Sequence, residues 1–242
     1  MKLDELLRIF SDLHYPALTS PEDGAKLHRF ILESGVCDVL ELGFAHGTST
    51  CYMAAGLAER GEGHITTIDR ASAREREPNI ETLLVETGLA PYVEPVYAAT
   101  SYNWELMKMI QRRTRGRETA PAFDFCFIDG AHTWETDGFA FFLADKLLRP
   151  GGWILFDDLH WSYGNSESLR DTERVKAMPR DERDTPQVMK VVALLAMQHP
   201  QYRVVHIKGN WAWVGKMHED GSAPVAEDLA AELTGTRAGD RT

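Results

Sequence analysis

Short apolar runs and longer stretches of helical spacing take turns along most of this chain. Residues 37–42 (CDVLEL), 64–68 (HITTI), 92–97, 123–128 (FDFCFI) and 153–156 (WILF) are the runs. They are rich in β-branched and aromatic side chains and predict buried strands, the third weakened by Pro95. Between them, 49–59, 79–86, 102–113 and 133–148 read as helices. Five strands with intervening helices, in about 120 residues, predict a parallel sheet covered on both faces.

The flanks differ from this middle. Residues 1–20 predict a short helix and a loop, and Ser20-Pro21 is a helix start, with serine as cap and proline in the first turn. Leu27, Phe30 and Ile31 then share one helical face until Gly35. Past the fifth strand, 158–185 is charged in both signs with little periodicity, the mark of a lid or a disordered insertion. Thr185-Pro186 opens another helix, with Val188, Val191, Val192 and Leu195 on one stripe. Runs 202–207 and 211–214 flank Gly209-Asn210, a hairpin signal. The expected organisation is an N-terminal helical segment at 1–36, one domain at 37–216 with a lid insertion at 158–185, and a peripheral tail at 217–242. The fold class is α/β and Rossmann-like, a mostly parallel sheet ending in an antiparallel hairpin. A domain of the NAD-binding type more often continues with parallel βα units.

Composition narrows the partners. With 43% hydrophobic residues, the 242-residue chain can build a proper core. Its net charge of −11, from 37 acidic against 26 basic residues, repels phosphate backbones and anionic lipid. Neither nucleic acid nor a membrane is expected as a partner, a small molecule is, and homo-oligomerisation stays open. Cys37, Cys51 and Cys126 are odd in number and sit in apolar runs, so they read as reduced core residues. No run reaches membrane length and the N-terminus lacks a signal-peptide core, so a cytoplasmic location is expected.

Candidate chemistry begins after the first strand. Gly43 lets the chain turn off the strand, and Gly47 lets backbone approach a ligand just before a helix N-terminus. That end suits a carboxylate or a phosphate. The dinucleotide pattern G-x-G-x-x-G fails, because Ala45 and Thr48 stand where glycines would be sought. A smaller anion, such as an amino-acid carboxylate, is the better fit. Asp69 ends the second strand, where an acid can accept from ribose hydroxyls or merely cap the next helix.

Stretch 41–50 (ELGFAHGTST) resembles motif I of class I methyltransferases, above all the E-x-G-x-x-x-G-x-S form of the catechol O-methyltransferase-like group. The resemblance implies a seven-stranded Rossmann-like sheet whose last hairpin is antiparallel, and S-adenosylmethionine as cofactor. It places Gly43, Gly47 and Ser49 around the methionine portion with Glu41 beneath, Asp69 at the ribose, and Ala99 and Thr100 beside the adenine.

A second constellation follows the fourth and fifth strands. Asp129 comes directly after one, Asp157 and Asp158 after the other. Neighbouring strands lie about 4.8 Å apart, so three carboxylates would converge. Such crowding is costly unless protons or a cation relieve it, and oxygen ligands suit Mg²⁺. Each aspartate alone could equally cap a helix or bind loop amides. The set resembles the metal site of catechol- and macrocin-type O-methyltransferases, and cephalosporin hydroxylase-like proteins share its F-I-D-G-x-H segment. Asp129 thereby counts with both cofactor and metal. His132, three residues on, stands where catechol-type enzymes carry a lysine base. It is a candidate general base, with a packing or helix-capping role as the alternative. His46 is expected to shape the cofactor pocket, and His160, Trp161 and Tyr163 to approach the substrate. Trp134, Trp211 and Trp213 read as packing residues. The expected activity is Mg²⁺-assisted methyl transfer to a hydroxyl of a small molecule: a natural product, a sugar or a catechol-like diol. The alternatives are a non-methylating S-adenosylmethionine-binding protein, a related metal-assisted enzyme and, less in keeping with the loop, an NAD-dependent oxidoreductase.

Overall fold

Seven strands form one sheet in the order β3-β2-β1-β6-β7-β9-β8 in the computed structural model, which describes residues 1–13 and 18–235. In chain order the elements open with α1 (Leu3–Asp12), α2 (Pro21–Ser34), β1 (Asp38–Leu42), α3 (Thr48–Arg60) and β2 (His64–Arg70). α4 (Ile80–Glu86), β3 (Val93–Ala98) and α5 (Tyr102–Arg113) follow, then a two-residue ladder of β4 (Thr114–Arg115) and β5 (Glu118–Thr119). β6 (Phe123–Ile128), α6 (Trp134–Leu147) and β7 (Leu148–Phe156) complete the predicted alternation. The chain ends through α7 (Glu173–Lys176), α8 (Arg180–Asp184), α9 (Gln187–Val191), β8 (Tyr202–Lys208), β9 (Trp211–Lys216) and α10 (Glu227–Thr234). Pro95 sits within β3, at the sheet's edge, where a missing N–H is tolerated.

Strands β3, β2, β1, β6 and β7 run parallel. The expected hairpin is present, but its second strand enters the sheet first: β9 wedges between β7 and β8, antiparallel to both. Side chains alternate between two cores, one on each face. Val39, Phe125, Phe127, Trp153, Leu155, Trp211 and Trp213 join α1, α2, α3 and α10. Leu40, Cys126, Ile128, Ile154, Phe156, Ala212 and Val214 join α5, α6 and α9. On the first face Phe30 of α2 is fully buried, with ring centroids 4.4 Å from Trp213 and 5.1 Å from Phe125. The helix that carries it starts as predicted, Ser20 accepting from the Asp23 amide, and ends at Gly35 in a left-handed conformation.

Three expectations need correction. The segment 158–185, read as a lid or a disordered insertion, is ordered, with Leu159 and Val175 buried and α7 and α8 formed, which removes only the disordered alternative. The stretch after 217, read as peripheral, supplies α10, which packs on α2 and β8 with Ala230 in the core and Trp153 Nε1 donating to the Val225 carbonyl at 3.0 Å. Residues 236–242 of that tail lie outside the described residues. Cys51 and Cys126 are buried, whereas Cys37 is half-exposed beside the Arg60 guanidinium. No described helix is long and apolar enough to cross a membrane.

Truncating Phe30 should empty the centre of the first core. Phe30→Ala is expected to cost about 3–5 kcal/mol in urea unfolding. Phe139→Ala, on a residue 56% exposed, should stay within about 0.5 kcal/mol.

Candidate active site

The register of the central strands sets the site. Leu42 pairs with Ile68 on one side and Ile128 on the other, and Ile128 pairs with Phe156. One residue further along each strand come Asp69, Gly43, Asp129 and Asp157, so these four emerge in a single row at the C-terminal edge. Backbone bonds continue the ladder there: Gly43 N to the Ile68 carbonyl (2.8 Å), Asp129 N to Leu42 (2.9 Å) and Asp157 N to Ile128 (3.1 Å).

The loop at 43–47 is fastened from two sides. Asp69 Oδ2 accepts from the Phe44 and Ala45 amides at 3.2 and 2.7 Å, and Oδ1 accepts from Arg70 N at 2.6 Å. Below the loop, Glu41 is completely buried and accepts from Ser49 Oγ (2.6 Å), Thr67 Oγ1 (2.6 Å) and the Thr50 hydroxyl. Burial outweighs these three donors and pushes its carboxyl up to about 7. Gly43 has φ +92°, and a Cβ there would lie 2.1 Å from the Asp129 carbonyl oxygen. Glycine is required. Gly47 caps α3 without a side chain, so the first amides of that helix receive no side-chain acceptor from it.

A cavity of about 260 Å³ opens over this loop, lined by Gly43, Ala45, His46, Ser49, Asp129 and Asp157 among others. Leu18, Thr19, Asp157 and Asp158 also line a neighbouring cavity of about 530 Å³, which extends toward His160, Lys208, Asn210 and Trp211. A further cavity, about 500 Å³, lies at the opposite end of the strands around Leu148, Pro150 and Met217. It is away from the edge where open α/β sheets bind ligands.

One ligand atom each of Asp129, His132 and Asp158 lie within 4.8 Å of one another, and Asp158 lines both of the first two cavities. His132 Nε2 is 3.5 Å from Asp158 Oδ2, and its ring centroid is 5.4 Å from that of Trp161, which in turn meets Tyr163 at 5.1 Å. Asp157, expected in this trio, is not part of it. Its Oδ1 accepts from the Asp158 amide at 2.6 Å, and the side chain lies against Trp211. Asp158 itself has a left-handed backbone, φ +55°, and both carboxylates line the two cavities. Burial, then the charges of Asp157 and Asp158, hold Asp129 well above the carboxylate range. Burial and Asp158 push Asp157 up to about 7.

The other expected residues divide. His46 lines the smaller cavity, with Nδ1 2.7 Å from the Pro78 carbonyl, and His160 lines the larger. Ala99 and Thr100 lie exposed after β3, away from the lining of either cavity. Trp213 is core, as read, while Trp211 also faces the larger cavity. Two residues escaped notice in the sequence, Tyr102 and Asp137, both buried behind the loop at 129–132. No spacing marks them, because α5 and α6 bring them together only in the folded chain.

Residues 40–159 match the family model described as a methyltransferase domain. The chain carries a methyltransferase domain with the class I fold. The matched range includes the glycine loop at 43–47 and Asp129, Asp157 and Asp158. Solved structures agree on the fold. An O-methyltransferase from Bacillus cereus in complex with SAH is 22% identical, with TM-score 0.60, over 88% of this chain and 90% of that one. The O-methyltransferase TomG from Streptomyces achromogenes, involved in tomaymycin synthesis and bound to SAM, is 19% identical at TM-score 0.57, covering 89% of each chain. The MycE methyltransferase of the mycinamycin pathway, in complex with Mg, SAH and mycinamycin VI, is 18% identical at TM-score 0.51, over 91% of this chain and 57% of that one. No curated protein matches the chain.

The methyltransferase's buried Glu41 yields a stability prediction. From pH 4.5 to about 7, the unfolded chain ionises this carboxyl while the folded chain keeps its proton. Stability therefore falls across that window, by on the order of 3 kcal/mol for this group, and is level above it. Urea unfolding at several pH values should show the wild type losing that share relative to Glu41→Gln. A pH-independent difference between the two proteins would contradict it.

Proposed function

We propose that this methyltransferase transfers the methyl group of S-adenosylmethionine to a hydroxyl oxygen of a small molecule carrying two neighbouring oxygens, with a divalent cation, Mg²⁺ by preference. The observation that carries this reading is the meeting of His132 with Asp129 and Asp158, two acids that line the glycine-loop cavity. Carboxylate oxygens suit a hard cation that keeps some waters and accepts substrate oxygens. One structural neighbour was crystallised with Mg, SAH and mycinamycin VI, which supports the same choice.

The residues present fit both groups. The loop cannot accept a side chain at Gly43, and its amides and the start of α3 suit a carboxylate. Gly43, Gly47, Ser49 and Asp69 would hold the cofactor, with Glu41 anchoring Ser49 from below. Asp129 and Asp158 would hold the cation, with Asp157 close by. When bound, S-adenosylmethionine supplies an electrophilic methyl group and the cation a Lewis acid for the acceptor oxygen.

The chain's own residues do the rest. His132 in its neutral form accepts the hydroxyl proton at Nε2, the nitrogen that faces Asp158. Trp161 and Tyr163 cover this corner and exclude water from it. The larger cavity holds the body of the acceptor, and the sheet edge keeps acceptor and methyl donor in line, which is where much of the rate gain arises.

The deciding assay gives labelled S-adenosylmethionine and a panel of vicinal diols to the protein, with Mg²⁺ or with excess EDTA. Label transfer that EDTA abolishes is expected, and full transfer in EDTA would remove the metal from the reading. Asp129→Asn should abolish the Mg²⁺-dependent turnover while S-adenosylmethionine binding, followed by calorimetry, largely survives. For His132→Ala, turnover should drop by about 10²- to 10⁴-fold. Because His132 stands within the trio, metal affinity is the companion measurement. An unchanged affinity identifies a base, and a parallel loss identifies a ligand.

A further inference from the structure

Behind the metal-side loop lies a polar pair that plays no part in the reading above. Tyr102, at the start of α5, is 5% exposed, and Asp137, in the first turn of α6, is 1% exposed. The Tyr102 hydroxyl donates to Asp137 Oδ1 and accepts from the Ala131 amide at 3.2 Å. The amides of Ala131 and His132 both bear on the Asp137 carboxylate and offset part of its burial. The Tyr102 ring presses on Gly130 so closely that a Cβ there would lie 2.5 Å from Cε1. A bulkier residue at 130 would unseat the ring.

What this pair supports is a strained turn. His132 has φ +57°, a left-handed conformation that a residue with a Cβ adopts at some cost. Such strain persists only where surrounding structure over-determines it. Here the over-determination is visible. Asp129 is tied to β1 through its amide, Ala131 is tied to the tyrosine hydroxyl, and Thr133 caps α6 by accepting from Thr136 N at 3.4 Å. A buried acid in this place is costly unless its oxygens are used, and a phenol at that spot is matched by both a donor and an acceptor. A core that needed only volume would take Phe and Leu.

Resting on the methyl-transfer reading, we propose that Tyr102 and Asp137 are positioning residues that hold the 129–132 turn, so that Asp129 and His132 face Asp158 at the reaction centre. They touch neither cofactor nor substrate. They act through the backbone, as outer partners of metal ligands do.

The test uses Tyr102→Phe, which keeps the ring against Gly130, and Asp137→Asn, which keeps the shape of the carboxylate. Turnover, Mn²⁺ affinity by electron paramagnetic resonance, S-adenosylmethionine affinity by calorimetry and the melting temperature are measured on each. Turnover and Mn²⁺ affinity should both fall by about 10- to 100-fold, while cofactor affinity and the acceptor's KM hold near wild type. The double variant should be little worse than either single one, since the two act as a unit. Variants that lose melting temperature yet keep turnover and Mn²⁺ affinity within about threefold of wild type, well short of that loss, would make the pair a packing device and overturn the proposal. A parallel loss of cofactor affinity would overturn it as well, because the effect would then reach the whole pocket. Failure of the parent reading looks different: the wild type itself would neither bind Mn²⁺ nor transfer a methyl group, and the proposal would fall with it.

Discussion

Like-charge crowding at the ends of β6 and β7 is the constraint around which the rest is arranged. Parallel register puts Asp129 and Asp157 on adjacent strands, one residue past Ile128 and Phe156, and Asp158 follows. Two carboxylates at this spacing repel by roughly 3–4 kcal/mol at the effective dielectric of a protein edge. The chain relieves the repulsion in two ways. It lifts Asp129 and Asp157 toward their neutral forms, and it sets Asp157 against Trp211 and the Asp158 amide. Each measure leaves a site ready for a cation, since a metal would do the same work as the protons.

Backbone strain gathers where that arrangement is built. Ala45, His132 and Asp158 are three of the four non-glycine residues with positive φ among those described, and all three border the site. Ala45 is held by Asp69, and the turn that carries His132 by Tyr102 and Asp137. Glu41 adds a buried acid that spends its oxygens on three hydroxyls at the root of α3. Folding free energy is thus diverted into fixed positions for a few groups, which is how preorganised sites arise.

The surroundings are softer in design. Segment 158–185 carries Trp161 and Tyr163 beside His132 yet is pinned to the core mainly by Leu159 and Val175. Gln187 supplies a further tie, its Oε1 accepting from the Trp134 amide at the head of α6. With few anchors and many charged residues, this is the part of the methyltransferase best suited to vary with substrate.

Much of the outcome was local and therefore legible in the chain. Apolar rhythm located every major strand and most helices, because burial on one face or both imposes that rhythm. Ser20-Pro21 and Gly35 bounded α2, because caps are made by neighbours in sequence. The loop at 43–47 and the aspartates after β6 and β7 could be read because strand ends and glycine turns are local too. Contacts between distant segments could not be read this way. Nothing in the hairpin's sequence says that β9 rather than β8 lies against β7. The low periodicity of 158–185 and the polar tail concealed segments whose few apolar residues find partners only across the fold. The same holds for the presence of His132 rather than Asp157 in the trio, and for the pairing of Tyr102 with Asp137. The sequence by itself determined which elements form and which carboxylates reach the sheet edge. Tertiary packing decided where each side chain points, because those directions depend on backbone turns held by residues from other elements.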